Sequence, residues 1–287
     1  MPVIDAHTHV FPPEICRGRA AYVARDPWFA HLYANPRAAL VPAEDLIASM
    51  DAAGIDRAVI AGFPWRDPGL CRLHNDYMAA VAAAYPDRLS WLAIVVPTAP
   101  GAAAEAARCF ALGAVGIGEV NADAQDFDFR EPAPLAELVA ACLHADRPVM
   151  AHVSEPVGHT YPGKGTATPE KFAHFLAAYP ELRVVAAHWG GGLPFYELMP
   201  EVAELARNVA YDTAASTYLY RFAVFRTVLD IVGPERVLLA SDYPVLRQDR
   251  FLRRVRAAGL RAEELGAVLG GNAARVYRLA ESRAADD

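Results

Sequence analysis

The chain has 287 residues, 54% of them hydrophobic, and a formal net charge of −7 at neutral pH, enough apolar material for one large core or two small ones. Its basic residues are spread along the chain, which argues against nucleic acid or an anionic membrane surface as the main partner and leaves a small molecule as the expected one. No stretch approaches the roughly 20 apolar residues that span a bilayer, and the first apolar run begins at Pro2 with no basic segment before it, so a cytoplasmic protein is expected.

Short runs rich in Val, Ile, Leu and Ala recur at 2–9, 56–61, 89–96, 114–120, 147–153, 183–188, 208–212 and 236–241, and each reads as a strand. Between them lie segments of helical periodicity. The first, 43–53, is opened by Pro42 and closed by Gly54, and it is followed by 69–85, 100–112, 132–145, 168–179, 194–207 and 218–232. The strands are continuous apolar runs, as strands buried on both faces are, and the helices supply the crossovers that parallel strands need. Eight such units predict a (β/α)8 TIM barrel as a single domain over 1–281, with a polar Ala-Asp tail at 282–287. An open doubly wound sheet shares this alternation, but no Gly-x-Gly-x-x-Gly follows the first strand.

That place is taken by Asp5-Ala6-His7-Thr8-His9. Alternate residues of a strand share a face, so His7 and His9 project together, about 7 Å apart along the strand, and can hold one metal ion between them. In such barrels the chemistry sits at the C-terminal ends of the strands. There the fourth strand carries Glu119, the fifth ends in His152, the sixth in His188 and the eighth in Asp242, while Tyr211-Asp212-Thr213 closes the seventh with weaker logic. Histidine and carboxylate donors at one rim suit a divalent cation with an open position for water. Zinc is expected first, as one or two ions, although manganese and iron accept the same donors. His7, His9, His152 and Asp242 can enclose the ion; Asp242 can take a proton from water, and His188 can fill a second metal position or stabilise an oxyanion. Glu119 either bridges two ions or orients a ligand histidine.

The four cysteines, Cys16, Cys71, Cys109 and Cys142, lie far apart without Cys-x-x-Cys spacing and read as reduced structural thiols. The loop after the fifth strand offers His159, Tyr161 and Lys164 as substrate contacts, the last to a carboxylate. Asn121 can donate an amide, and Trp65 and Trp189 can wall an apolar substrate.

Taken in order, these residues resemble the amidohydrolase superfamily of metallo-dependent hydrolases. Within it the chain is similar to the amidohydrolase-2 family and the group of aminocarboxymuconate semialdehyde decarboxylase. The likeness rests on Asp-x-His-x-His, the strand-five histidine, Ala187-His188-Trp189-Gly190-Gly191-Gly192, Ser241-Asp242-Tyr243-Pro244 and the closing Gly271-Asn272-Ala273-Ala274-Arg275-Val276. It implies that His7, His9 and His152 are metal ligands, Asp242 a ligand or proton carrier, and His188 a ligand or catalytic electrophile. It also implies that a homodimer is compatible with the fold. The family holds both hydrolases of amides, lactones and esters and zinc-dependent non-oxidative decarboxylases, so the fold leaves the reaction open. Glu119 tilts the expectation to hydrolysis of a small carboxylated or cyclic substrate, with decarboxylation of an aromatic or unsaturated acid as the alternative.

Overall fold

The computed structural model describes residues 2–280, and the tail expected at 282–287 lies outside them. Eight parallel strands stand in sequence order: β1 (Ile4–Thr8), β2 (Arg57–Ala61), β3 (Leu89–Ala93), β4 (Gly116–Val120), β5 (Val149–Ala151), β6 (Val184–Ala186), β7 (Val209–Asp212) and β8 (Val237–Leu238). The seam closes between the first strand and the chain just past the last. Ala6 N–H donates to the Leu239 carbonyl at 2.7 Å, Asp242 N–H to His7 at 3.0 Å and His9 N–H to Tyr243 at 2.7 Å. A (β/α)8 barrel results, as the rhythm of apolar runs predicts.

The strands are shorter than their apolar runs, most of all at the fifth and eighth. After β8 the Leu239 N–H turns to the Val268 carbonyl, 2.9 Å away, and the next residues pair with β1 and with the groups at the rim. The barrel interior is filled by Ile4, Ala6, Val59, Ala61, Leu92, Met150, Val185, Ala187, Ala210 and Leu238, with Tyr277 below them. Alanine recurs because facing strands leave little room. Gly118 answers the same crowding: its φ is +145°, and a β-carbon there would lie 2.6 Å from Met150 Cβ.

Two departures from the predicted helices shape the rim. The 194–207 segment is split into Leu193–Tyr196 and Pro200–Leu205, because Pro200 starts a new helix and has no N–H to continue the old one. The 218–232 segment likewise divides into Ser216–Leu219 and Ala223–Val232. Residues 10–42, to which the sequence pattern assigns no element, fold into the short helices Pro13–Arg17, Arg19–Val23 and Pro27–Tyr33 over the mouth of the barrel. Among the described residues no helix is long and apolar enough to cross a membrane.

An aromatic cluster of Phe11, Phe29, Tyr33, Phe63 and Trp65 packs around buried His74. The His74 ring donates from Nε2 to the Val10 carbonyl at 2.7 Å and accepts from Trp65 Nε1 at 3.1 Å, so it is neutral, and burial pushes its pKa down to about 4. The unfolded chain therefore takes up this proton before the native one does. Stability contributed by neutral His74 is intact above the ordinary histidine value and is lost as pH falls towards about 4. Between pH 7 and pH 5 the loss from this group is about 2 kcal/mol. Urea titrations at both values should show His74→Gln losing about 2 kcal/mol less than the wild type over that interval. Equal losses would refute the assignment.

Candidate metal centre

The polar residues that end the strands converge on one point at the C-terminal rim. His7, on β1, brings Nε2 to 3.0 Å from His9 Nε2, and His9 Nε2 lies 3.2 Å from Asp242 Oδ1. Opposite them, Glu119 Oε1 stands 2.9 Å from His152 Nδ1 and 3.2 Å from His188 Nε2, while its other oxygen is 3.6 Å from His7 Nε2 and 4.0 Å from His9 Nε2. The donors form two groups, His7, His9 and Asp242, and Glu119, His152 and His188, each with its atoms within 4.8 Å of one another. Glu119 offers one oxygen to each side.

Backbone strain aims two of these side chains. His188 and Asp242 have φ of 58° and 60°, in the left-handed region that side chains seldom adopt. His188 begins a left-handed turn that continues through Trp189, Gly190 and Gly191. Asp242 follows Ser241, whose N–H and Oγ both donate to buried Asp5, at 2.9 and 2.5 Å. Gln248 Nε2 adds a third hydrogen bond to Asp5 at 2.8 Å. Burial nevertheless raises the Asp5 pKa, more than those donors lower it.

Three of the four rings that face the centre with one nitrogen are held from behind by the other. His7 Nδ1 donates to Asp212 Oδ2 at 2.8 Å and His9 Nδ1 to the Ala61 carbonyl at 3.1 Å, while His152 Nε2 is hydrogen-bonded to the Ser154 hydroxyl at 3.2 Å. Such partners fix the tautomer and leave the inner lone pair free for a cation. Asp212 does more than its weak sequence signal suggests. Its second oxygen accepts from the backbone N–H of His188 at 2.8 Å and of Ala214 at 3.0 Å, so one carboxylate fixes two of the rim histidines. The sequence clue was its place at the end of β7. Ser154 had none.

The electrostatics suit a cation. Glu119, Asp212 and Asp242 are buried, and among the described residues their only ion-pair partners are histidines. Burial opposes the charge on His7, but Asp212 and Glu119 outweigh it and hold its pKa well above the ordinary value. For His188 burial also opposes charge, yet the hydrogen bond and the charge of Glu119 raise it to about 9. Burial works to raise Glu119, and the charges and hydrogen bonds of His152, His7 and His188 carry it well below the usual carboxylate range. Protons on imidazoles here balance carboxylates that a divalent ion would neutralise more fully, and a set of four imidazoles and two carboxylates fits zinc, manganese or iron.

Beside the donors lies a cavity of about 570 Å³, lined by His9, Glu119, His152, His188 and Asp242 on its floor and by Trp28, Leu32, Tyr33, Phe63 and Val245 among its apolar walls. Asn121, His159 and Tyr161 line it. Three expected contacts need correction. Trp65 is wholly buried against Phe29 and Phe63 and donates to His74; Trp189 is wholly buried, with its indole N–H on Ser216 Oγ at 2.7 Å. Lys164 turns away and caps the carbonyls of Val157, Gly158 and His159, which satisfies an ammonium more fully than an open loop position would. Trp28, Leu32 and Tyr33 of the 10–42 segment, which lies off any strand end, join Phe63 and Val245 in these walls.

A parallel barrel with imidazole and carboxylate donors gathered at the C-terminal rim of its strands defines the class of metal-dependent barrel enzymes. The chain belongs to the amidohydrolase family, whose model matches residues 4–279. No curated protein matches it. Among solved structures it is similar to 5-carboxyvanillate decarboxylase from Sphingomonas paucimobilis, at 22% identity and a TM-score of 0.81, over 97% of this chain and 99% of that one. It is also similar to 2,6-dihydroxybenzoate decarboxylase from Rhizobium, at 19% identity, TM-score 0.73, over 97% and 99%. A third is dihydroxybenzoic acid decarboxylase from Polaromonas sp. JS666, solved with manganese and the inhibitor 2-nitroresorcinol, at 19% identity, TM-score 0.76, over 97% of each chain.

Two outcomes test the centre. Cation binding must displace the protons held on His7 and His188, so affinity for Mn²⁺ should rise with pH up to about 9. Calorimetry in buffers of different ionisation enthalpy should register proton release at neutral pH, and none would contradict the ligand set. Asp212→Asn should stay folded yet bind Mn²⁺ about 10- to 100-fold more weakly, as loss of a partner behind a ligand histidine does.

Proposed function

We propose that the protein is a metal-dependent, non-oxidative decarboxylase of an aromatic carboxylic acid. The observation that carries this reading is the cavity, whose aromatic walls end on a floor where the acid, base and cation-binding groups are concentrated. The three similar structures are decarboxylases of hydroxylated benzoates, which supports the same chemistry here over the hydrolysis that Glu119 suggests from sequence.

His7, His9 and Asp242, with Glu119, His152 and His188 opposite, would hold the ion, and when bound it supplies Lewis-acid polarisation of the substrate's oxygens. The protein's own groups do the rest. Trp28, Tyr33 and Phe63 offer faces for a planar ring and exclude water. Losing water raises the energy of a carboxylate, whose charge is localised, more than that of a transition state whose charge spreads into the ring. The bond from ring to carboxyl breaks, its electron pair stays on the ring carbon, and carbon dioxide leaves. Asp242, which rests as a carboxylate, takes a proton from solvent and relays it through Oδ to this carbon. His9, 3.2 Å from Asp242 Oδ1, holds that carboxylate in place and, against the effect of burial, lowers its pKa. The Polaromonas neighbour makes manganese the first ion to supply, followed by zinc and iron.

One observation favours hydrolysis as a second reading. Glu119 lies between the two donor groups with an oxygen towards each, the place of a carboxylate that separates two cations in two-metal hydrolases. Metal content and product separate the readings. The protein loaded with Mn²⁺ is expected to release carbon dioxide from a panel of hydroxybenzoates, and Asp242→Asn to lose about 100-fold or more in kcat while retaining metal. Cleavage of lactones or amides without carbon dioxide, with two metals per chain falling to one in Glu119→Gln, would overturn decarboxylation in favour of hydrolysis.

A further inference from the structure

The loop after β5 carries contacts that neither the donor set nor the cavity wall accounts for. Its base is closed twice, by Ser154 N–H donating to the Ala167 carbonyl at 2.8 Å and by Gly165 N–H donating to Ser154 Oγ at 2.9 Å. From the neighbouring β4 side, Asp123 clamps the returning strand, accepting from Thr166 N–H at 2.7 Å and from its hydroxyl at 2.8 Å. The tip holds itself together through Lys164 Nζ on the Val157 carbonyl at 2.8 Å and Tyr161 Oη on Glu155 Oε2 at 2.8 Å. The result is a compact Ω loop with adjacent ends, and its His159, Tyr161, Pro162 and Gly163 face the cavity.

The hydroxyl that closes this loop is the same one that stands behind His152. Ser154 is wholly buried, and its Oγ is hydrogen-bonded to His152 Nε2 at 3.2 Å while accepting from Gly165 N–H. The Ser154 backbone is packed closely against Gly191, where a β-carbon would lie 2.5 Å from the Ser154 carbonyl oxygen. Opening the loop at Gly165 therefore alters the hydroxyl that orients His152, and turning His152 alters the anchor of the loop.

We propose that Ser154 is a positioning residue that couples the 155–165 loop to the metal centre, so that loading the centre closes the loop over the cavity. The inference rests on His152 being a metal ligand. Coupling between two sites is reciprocal: the factor by which bound metal favours the closed loop is the factor by which the closed loop binds metal more tightly than the open one, so a variant that opens the loop weakens metal binding by up to that factor.

Lys164 makes the loop readable, because trypsin cuts at the Lys164–Gly165 bond when the loop opens. In the full chain, saturating MnCl₂ is expected to slow this cut, followed by mass spectrometry, by about fivefold or more. Ser154→Ala, checked for folding by circular dichroism, should be cut at equal rates with and without Mn²⁺. Asp123→Ala touches no metal donor, yet it should be cut faster and bind Mn²⁺ more weakly, by up to the factor by which Mn²⁺ slows the wild-type cut. Should Ser154→Ala fail to fold, Asp123→Ala alone decides. Faster cutting with unchanged Mn²⁺ affinity overturns the coupling, as does a wild-type rate indifferent to bound Mn²⁺. A wild-type chain that binds no Mn²⁺ at all would instead sink the metal reading beneath it.

Discussion

The seam between β1 and the chain leaving β8 is the constraint on which the rest of the molecule depends. Three hydrogen bonds, from Ala6 to Leu239, from Asp242 to His7 and from His9 to Tyr243, convert an open eight-stranded sheet into a closed ring. The same bonds set the first residues of the site against the last. Backbone amides of the ladder belong to His9 and Asp242, so closure and the 3.2 Å approach of their side chains are one event. Asp5, spanning the seam to Ser241 and Gln248, ties it a second time just beneath the centre.

Closure creates an electrostatic problem that the site turns to use. Glu119, Asp212 and Asp242 are brought into a water-poor rim without a lysine or arginine to pair them among the described residues, and isolated buried carboxylates are costly. Imidazoles can carry the compensating protons or surrender them to a cation. Hydrogen bonds behind the rings decide which nitrogen faces inward, so the donors are arranged before any ion arrives. The left-handed backbones at His188 and Asp242 are tolerated because Asp212 and Asp5 hold the adjacent segments.

Legibility in the sequence followed the physics of each residue. His7, His9, Glu119, His152, His188 and Asp242 stood out because each breaks an apolar run at a strand end, and a barrel delivers all such ends to one rim. Trp65 and Trp189 misled because an aromatic residue after a strand can face the cavity or the helix layer with the same local sequence, and here both face inward to the core. Lys164 misled because a loop ammonium is satisfied by whichever carbonyls the fold brings near it. Trp28 and Tyr33 were missed because short helices over a barrel mouth have no fixed place in the strand and helix rhythm.

The sequence by itself determined the barrel and the identity of the residues at its rim, since continuous apolar runs, crossover helices and polar interruptions are local signals. Tertiary structure alone decided which nitrogen of each ring faces the centre, that Glu119 lies between two donor groups, that Asp212 holds both His7 and His188, and that Ser154 serves His152 and the loop together. Those facts depend on distances between strands far apart in the chain. No local pattern encodes them, because they exist only after the ring has closed.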